Sequence, residues 1–451
     1  MSNILLYKPG LRDGSENELP NIGMAVVAAS IREHGDSIVV QDKHFYRGDY
    51  PCYPPIIDFV GMSLVSQEWC LEQTQTFLDA CCEMHYPVII GGAHAFSYLE
   101  FLEKDERIWK VVVGEVDGQW DKVINSKDKV VFLDKPDKLI TPDFSDFVGI
   151  ENMKAYPLYT SRGCTNSHCS FCVAGKGHGK YRKRDYGEAI NELVNIGRYP
   201  SVKKIYIVDD CFTGDIEFAK QVLDTYLSLD LDKRYELQII NVRADQLDYE
   251  ILRMIKKCGV KFLPIGVESA DHEVFKHVGK GESLEDIRKA TDMMQEIGIT
   301  PWLNMITGLP YDNPERNLNS IKWCCSIPQP RIIHWFQMAP FRKTKAYDYF
   351  LEQGSFEDGF IPSAYGRRYD DFPWESDFET KDFSKKERML ANLEGYLRCL
   401  SPILVNSQEK VQKTCIENSM GDLYEDWRDN ARIQEYVEKN LPDKKEKHQV
   451  G

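Results

Sequence analysis

Short apolar runs separated by amphipathic stretches set the pattern of this chain. Asn3-Ile-Leu-Leu-Tyr7 reads as a strand, and after a polar loop the stretch from Met24 to Glu33 repeats its apolar positions at helical spacing up to Gly35. Ser37 to Gln41 and Ile57 to Met62 read as further strands, and Trp69 to Glu83 as a helix. Val88-Ile-Ile before Gly91-Gly92 and Val111-Val-Val before Gly114 complete the series. Strands that alternate with helices predict a doubly wound parallel sheet, covered on both faces, over residues 1–125. Residues 126–155, mixed in charge and carrying Pro136 and Pro142, read as a linker. A second βα series spans residues 156–340. Its strands are Leu158-Tyr-Thr, Lys204 to Val208, Glu236 to Asn241, Phe262 to Gly266, Trp302 to Thr307 and Ile332 to Met338. That repetition predicts a parallel βα barrel or part of one, with chemistry at the carboxyl ends of the strands. Residues 341–451 are polar, charged and helical, and are expected to close the barrel. The fold class is therefore α/β with a mainly helical tail, in which Tyr347, Tyr365, Trp374 and Trp427 either shape an apolar pocket or fill the core.

A length of 451 residues agrees with more than one structural unit. The chain is 42% hydrophobic and 28% charged, and no run of about 18 apolar residues is present, so no membrane span is expected. The first residues lack a basic region before an apolar one, which predicts no export signal and a cytoplasmic location. A net charge of −15 argues against a broad nucleic-acid surface. The thirteen cysteines are odd in number and scattered, unlike a disulfide framework. Cys52, Cys70, Cys81, Cys82, Cys258, Cys324, Cys325, Cys399 and Cys415 read as small buried hydrophobes.

Three other cysteines are clustered. Tyr159-Thr-Ser-Arg-Gly-Cys164-Thr-Asn-Ser-His-Cys169-Ser-Phe-Cys172 places three thiols within nine residues after a strand. Three thiolates on one loop can bind three irons of a cubane and leave the fourth open. The alternative is a zinc site with His168 as its fourth ligand.

Arg-Gly-Cys followed by Cys-Ser-Phe-Cys resembles the cluster loop of radical S-adenosylmethionine (SAM) enzymes, although Cys-x4-Cys-x2-Cys is one residue longer than that family's usual spacing. Val208-Asp-Asp-Cys-Phe-Thr, Asn241-Val-Arg-Ala-Asp, Gly266-Val-Glu-Ser-Ala, Val278-Gly-Lys-Gly and Ile306-Thr-Gly-Leu-Pro follow in the family's order. The resemblance implies a [4Fe–4S] cluster on Cys164, Cys169 and Cys172 that splits SAM to a 5′-deoxyadenosyl radical. An external electron donor of flavodoxin or ferredoxin type would supply the electron. Glu268 is then expected to accept from the SAM ammonium, Arg243 to pair its carboxylate and Ser269 to reach its ribose. For Glu268 and Arg243 a salt bridge inside the barrel is the alternative. Asp209 and Asp210 either touch SAM or substrate or cap turns, and Arg182 and Arg184 either hold an anion or lie in a solvated loop. Gly308-Leu-Pro reads as a tight turn with close backbone approach.

Pro20-Asn-Ile-Gly-Met-Ala-Val-Val-Ala-Ala, Val60-Gly-Met-Ser-Leu, Val88-Ile-Ile-Gly-Gly-Ala-His and Val112-Val-Gly-Glu make residues 1–125 resemble the Rossmann-like cobalamin-binding domain of one radical SAM class. Ser63, Gly91, Gly92, His94, Gly114 and Glu115 are its candidate cofactor contacts, and a domain that has lost the cofactor is the alternative. Asp42-Lys-His44-Phe-Tyr-Arg-Gly48 spells a cobalt-ligating signature, but it follows the second strand rather than the first, so His44 reads as a surface-loop residue. The resemblance implies cobalamin-dependent methylation of an unactivated carbon in a small-molecule or peptide substrate. Radical dehydration, cyclisation or rearrangement of a small metabolite is the second enzymatic reading, and a non-catalytic iron–sulfur or zinc module the third.

Overall fold

The computed structural model describes residues 1–10, 18–48, 56–64, 67–362, 372 and 374–440; Cys52 and Tyr365 lie outside them. The first unit is a parallel sheet of β1 (Asn3–Lys8), β2 (Ser37–Asp42), β3 (Phe59–Ser63), β4 (Val88–Gly91), β5 (Lys110–Val113) and β6 (Val130–Phe132), in the order β2-β1-β3-β4-β5-β6. Strand β1 shows why the pattern reads as a continuous apolar run. Ile4 and Leu6 face one core with the helix Ile22–His34, while Leu5 and Tyr7 face another with Leu78 and Cys81 of the helix Glu72–Glu83. Strand order reverses between β1 and β3, which opens a crevice at the carboxyl ends of the strands.

The segment read as a linker is part of the folded body. Val130-Val-Phe132 adds the sheet's last strand, a run too short to stand out between Lys127-Asp-Lys129 and Asp134-Lys135. Beyond it the chain returns to the opposite edge, where Val40 N donates to Asp146 O and Val148 N to Val40 O. Phe144, Phe147 and Met153 then enter the main core.

The second unit contains β7 (Ala155–Leu158), β8 (Ser161–Arg162), β9 (Arg182–Lys183), β10 (Lys204–Ile207), β11 (Glu236–Ile239), β12 (Phe262–Glu268), β13 (Thr300–Thr307) and β14 (Ile332–Gln337). Strands β7, β10 and β11 form one parallel sheet, and β12, β13 and β14 another. A parallel bridge from Val242 to Ile265 links the two into an open arc of six strands. The antiparallel β8–β9 pair stands apart and frames the cysteine loop.

The tail helix Lys385–Arg398 packs on β14 and on the helix Pro314–Cys325. Its fully buried Arg388 donates through Nη1 to Gly308 O (3.0 Å) and through Nε to Phe383 O (3.0 Å), with the guanidinium over the Phe378 ring. Gly308 has φ +84, and a β-carbon there would collide with that guanidinium. Tyr347 and Trp427 are core residues, and Trp374 packs edge-on against Phe372. Cys81, Cys258, Cys324, Cys399 and Cys415 are buried, but Cys70, Cys82 and Cys325 are exposed, because each sits on the solvent side of a short helix or helix end that the apolar pattern alone does not resolve. No helix among the described residues is long and apolar enough to cross a membrane.

Two glycines with positive φ separate backbone strain from steric conflict. Gly354 has φ +67 and nothing near its missing β-carbon. Gly354→Ala should therefore cost only the left-handed penalty of about 1–2 kcal/mol. Gly308→Ala should cost clearly more, read as the difference in unfolding free energy by urea titration. Equal losses would show that Arg388 does not constrain this turn.

Candidate active site

Three neighbouring strands carry glycine on the same sheet face at their carboxyl ends: Gly61 in β3, Gly91 in β4 and Gly114 just after β5. They hollow out a cavity of about 430 Å³. Leu6, Ile89 and Val112 floor it, the start of the helix Ile22–His34 walls one side, and Tyr159, Ser161, Arg162, His178, Val208 and Asp210 of the barrel face the sheet. Gly92 and Gly114 have φ +94 and +126, and β-carbons there would strike Leu64 O and Leu133 O, so both glycines are demanded by the fold itself. Gly91 differs, because its β-carbon would meet only Val112, at 3.9 Å.

Of the sequence-derived contacts, Ser63, Gly91, Gly92, Gly114, Glu115 and Asp210 line this cavity. His94 does not. Its ring is buried between Trp69 and Tyr98, at 5.7 and 4.7 Å between centroids, because the helix Ala93–Ser97 turns it to the sheet's other face. His44 lies outside the cavity too. It is buried rather than on a surface loop, 3.8 Å from Glu68, whose carboxylate also receives Lys8 Nζ at 2.9 Å.

Glu115 lines the cavity, yet its carboxylate is committed to the barrel. Arg162 Nη1 donates to Oε2 and Arg182 Nη2 to Oε1, both at 2.6 Å, and Arg162 also reaches Asp117 at 2.8 Å. Burial pushes the Glu115 carboxyl upward, but the two arginines hold it below its ordinary range. Arg182 is thus engaged within the protein. So is Arg184, which donates to Glu192, Tyr159 O and Thr141.

The cysteine loop leaves β8 through Gly163 and returns to β9. Gly163 has φ +84, and a β-carbon would strike the carbonyls of Gly179 and Lys180, which explains the Arg-Gly-Cys sequence by close backbone approach. Gly175 sits equally close to the Ser167 backbone. Cys164, Cys169 and Cys172 are half-buried. Asn166 Nδ2 donates to Cys169 Sγ (3.4 Å), the Asn166 amide to Cys164, and the amides of Gly175 and Ala174 to Cys172. Hydrogen-bonded cysteine sulfurs grouped on one loop are the donor set an iron–sulfur cluster takes. A hydrogen bond from Cys211, buried four residues beyond β10, outweighs burial and brings the Cys164 thiol down to about 6. Burial, then Cys172, pushes Cys169 up to about 12, and burial also raises Cys172. Among the described residues no three thiol, imidazole or carboxylate groups converge tightly enough to share one metal ion, His168 with these cysteines included.

Behind the loop, Glu268 ends β12 with φ +69, at a register slip between Gly266 and Glu268. A non-glycine residue in that region is strained, and such strain gathers at functional sites. Its carboxyl is raised by burial, with Lys280 opposing at 3.5 Å; Lys280 also pairs Glu282 at 2.9 Å. Two expected SAM contacts are occupied. Arg243 presents its fork to Asp245, at 3.0 and 2.8 Å, because that carboxylate lies two residues along the same turn. Ser269 points outward at the helix Pro314–Cys325, where its hydroxyl meets Ser320 Oγ at 3.0 Å and accepts from Asp271 N. Asp209 is buried under Thr160 and Ser161, accepting from Thr160 N and Oγ1 and Ser161 Oγ. Asp210 accepts from Gly163 N (2.7 Å) and faces His178 Nδ1 (2.7 Å), which together overcome burial and keep its carboxyl below the usual range. Arg162, Asp117, His178 and Gly61 were not among the sequence-derived contacts. Arg162 had a visible signal as the residue before Gly163-Cys164, and Gly61 as part of Val60-Gly-Met-Ser-Leu.

Residues 158–324, the stretch that holds this loop and most of the strand arc, match the Radical SAM superfamily. Over 189 residues it is 28% identical to a hopanoid C-3 methylase of Methylococcus capsulatus, covering 42% of this chain and 35% of that protein. The chain spans about a third to a half of the length of the first curated relatives it matches. The fold is shared with two solved structures. One is the radical SAM methyltransferase TsrM of Kitasatospora setae with tryptophan and a SAM analogue bound (TM-score 0.62, 14% identity, 78% of this chain and 76% of that one). The other is the cobalamin-dependent SAM radical enzyme OxsB with aqua-cobalamin and SAM bound (TM-score 0.63, 13% identity, 100% and 82%).

Burial raises the Asp209 carboxyl to about 6. Between about pH 4, where the unfolded carboxyl titrates, and pH 6, the fold keeps a proton that the unfolded chain has lost. Stability from this group is therefore full below that window and falls as pH rises through it, by up to about 1.4 kcal/mol per pH unit. Asp209→Asn should remove the component. The wild-type-minus-variant difference in unfolding free energy should fall from pH 4 to 6 and stay flat from 6.5 to 8; a flat difference throughout would mean that Asp209 is ionised across the range.

Proposed function

We propose that this chain is a cobalamin-dependent radical SAM methyltransferase acting on an unactivated carbon of a small molecule or peptide. The observation that carries this reading is one arrangement: a glycine-floored cavity at the sheet's switch point reaches His178, on the loop that also bears Cys164, Cys169 and Cys172. When bound, the cluster supplies the electron that splits SAM to a 5′-deoxyadenosyl radical, and the corrin supplies the transferred methyl group.

The chain's own residues would then work as follows. Cys164, Cys169 and Cys172 hold the cluster, and the Asn166 side chain and nearby amides steady their sulfurs. Glu268, strained at its strand end and balanced by Lys280, accepts the SAM ammonium. Ser63, Gly91 and Gly92 cradle the corrin side, while Tyr159 and Val208 help to exclude water from the barrel side. Domain limits at 1–125, 156–340 and 341–451 remain our working division, with the 126–155 segment joined to the first. An acidic flavodoxin- or ferredoxin-type donor in a reducing cytoplasm would supply the electron.

Anaerobic incubation with SAM, reductant and candidate substrates should yield 5′-deoxyadenosine and S-adenosylhomocysteine together; 5′-deoxyadenosine alone in the presence of a consumed substrate would move the reading to radical rearrangement or dehydration. The triple variant Cys164→Ala, Cys169→Ala, Cys172→Ala should lose its iron and visible absorbance, whereas Cys324→Ala with Cys325→Ala should keep both. Glu268→Gln should weaken SAM binding about tenfold or more while leaving iron content unchanged, since a charge-assisted hydrogen bond contributes about 1.5–3 kcal/mol.

Gly91 gives the clean test of the corrin site, because Gly92 would damage the fold when enlarged. Overfilling a well-packed site costs about 1–3 kcal/mol, so Gly91→Val should weaken hydroxocobalamin binding about five- to 150-fold at an unchanged unfolding midpoint. Unchanged affinity would remove the cofactor from this cavity.

A further inference from the structure

Most polar side chains around the cavity are already committed. Arg162 is shared by Glu115 and Asp117, and Glu115 by Arg162 and Arg182. Ser161 donates to Asp209, the Tyr159 hydroxyl donates to Ile140 O, and Asn21 Oδ1 accepts from Met24 N. Asp210 is engaged by Gly163 N and His178 Nδ1. None of these bonds uses the other ring nitrogen of His178.

His178 lines the cavity from the barrel side, and its side chain is 47% exposed. An ionised carboxylate offers only lone pairs, so in the neutral ring the 2.7 Å contact to Asp210 Oδ2 places the proton on Nδ1 and the lone pair on Nε2. The backbone is held as well, since Arg182 Nη2, anchored on Glu115, donates to His178 O at 3.1 Å. A carboxylate that fixes one ring nitrogen so that the other presents its lone pair is the outer-shell arrangement of metal-ligating histidines. Here that lone pair belongs to a residue of a cavity whose opposite face is floored by glycine.

We propose that His178 is a protein-derived ligand of the corrin cobalt, binding through Nε2. The inference rests on the cobalamin reading above. Asp210 positions the ring, and the ligand comes from the barrel side rather than from the His44 signature, which lies outside the cavity.

Cobinamide, which lacks the nucleotide base, is the probe, because any nitrogen on its axial position must come from the protein or be absent. Bound to the cluster-loaded full chain and reduced to cobalt(II), it should give electron paramagnetic resonance lines split into triplets by one ¹⁴N nucleus. In protein labelled with [¹⁵N]histidine the triplets should become doublets, a test that needs no substitution. His178→Ala should abolish the splitting, while His44→Ala and His94→Ala should keep it. Bound cobinamide without nitrogen splitting, or splitting that survives in His178→Ala, overturns the ligand assignment alone. Failure of both cobinamide and hydroxocobalamin to bind overturns the cobalamin reading and this inference with it.

Discussion

Arg162 and Arg182 flank the cysteine loop, one on β8 and one on β9, and both end on the carboxylate of Glu115. Glu115 follows the last glycine of the sheet's cavity floor, so one buried acidic group joins the mouth of the first unit to the root of the loop in the second. Burying these charges is costly, and such a network does not in itself add stability over an apolar contact. What it adds is registry. Guanidinium forks accept a carboxylate only in a narrow set of orientations, which fixes the height of the cysteine loop above the sheet. The cavity depends on that height, because its floor belongs to one unit and its roof to the other.

The same constraint explains where backbone strain and glycine are concentrated. Gly163 must let the loop's two strands approach, Gly114 must clear Leu133 before the chain reaches Glu115, Gly61 makes room for the Leu6 side chain, and Gly91 leaves space instead of filling it. Gly308, far along the sequence, makes room for Arg388 of the tail helix, whose guanidinium satisfies the turn after β13. The tail therefore completes the barrel by hydrogen bonding to a strand-end turn as well as by covering β14.

The alternation of strands and helices, the two βα series and the cysteine loop were legible in the sequence because each is a local pattern. Continuous apolar strands mark sheets buried on both faces, and three closely spaced thiols mark a metal loop. Strand β6 was not legible, since three apolar residues between charged neighbours carry no periodicity, and the return of 144–148 to β2 is a long-range pairing. Side-chain partners were the least legible. Arg243 and Ser269 stand at the expected strand ends, yet Asp245 and Ser320 take them up, and nothing in the local sequence distinguishes a free fork from an occupied one. His94 follows the glycine pair as anticipated, but a short helix turns it behind the sheet. His178 and Asp117 gain their roles only from the meeting of two units.

The extra residue in the cysteine spacing is absorbed by contacts within the second unit. Four residues separate Cys164 from Cys169, and one of them, Asn166, donates to both Gly279 O and Lys280 O while its Oδ1 accepts from His168 N. Ser170 N adds a bond to Val278 O. The longer loop is thereby stapled to the turn that carries Lys280, the cation that balances Glu268. Lengthening this loop without such a staple would let its cysteines move independently of the strand ends. With it, the thiols and the strained carboxylate at the end of β12 are parts of one hydrogen-bonded piece, so a displacement of either end must be shared by the other.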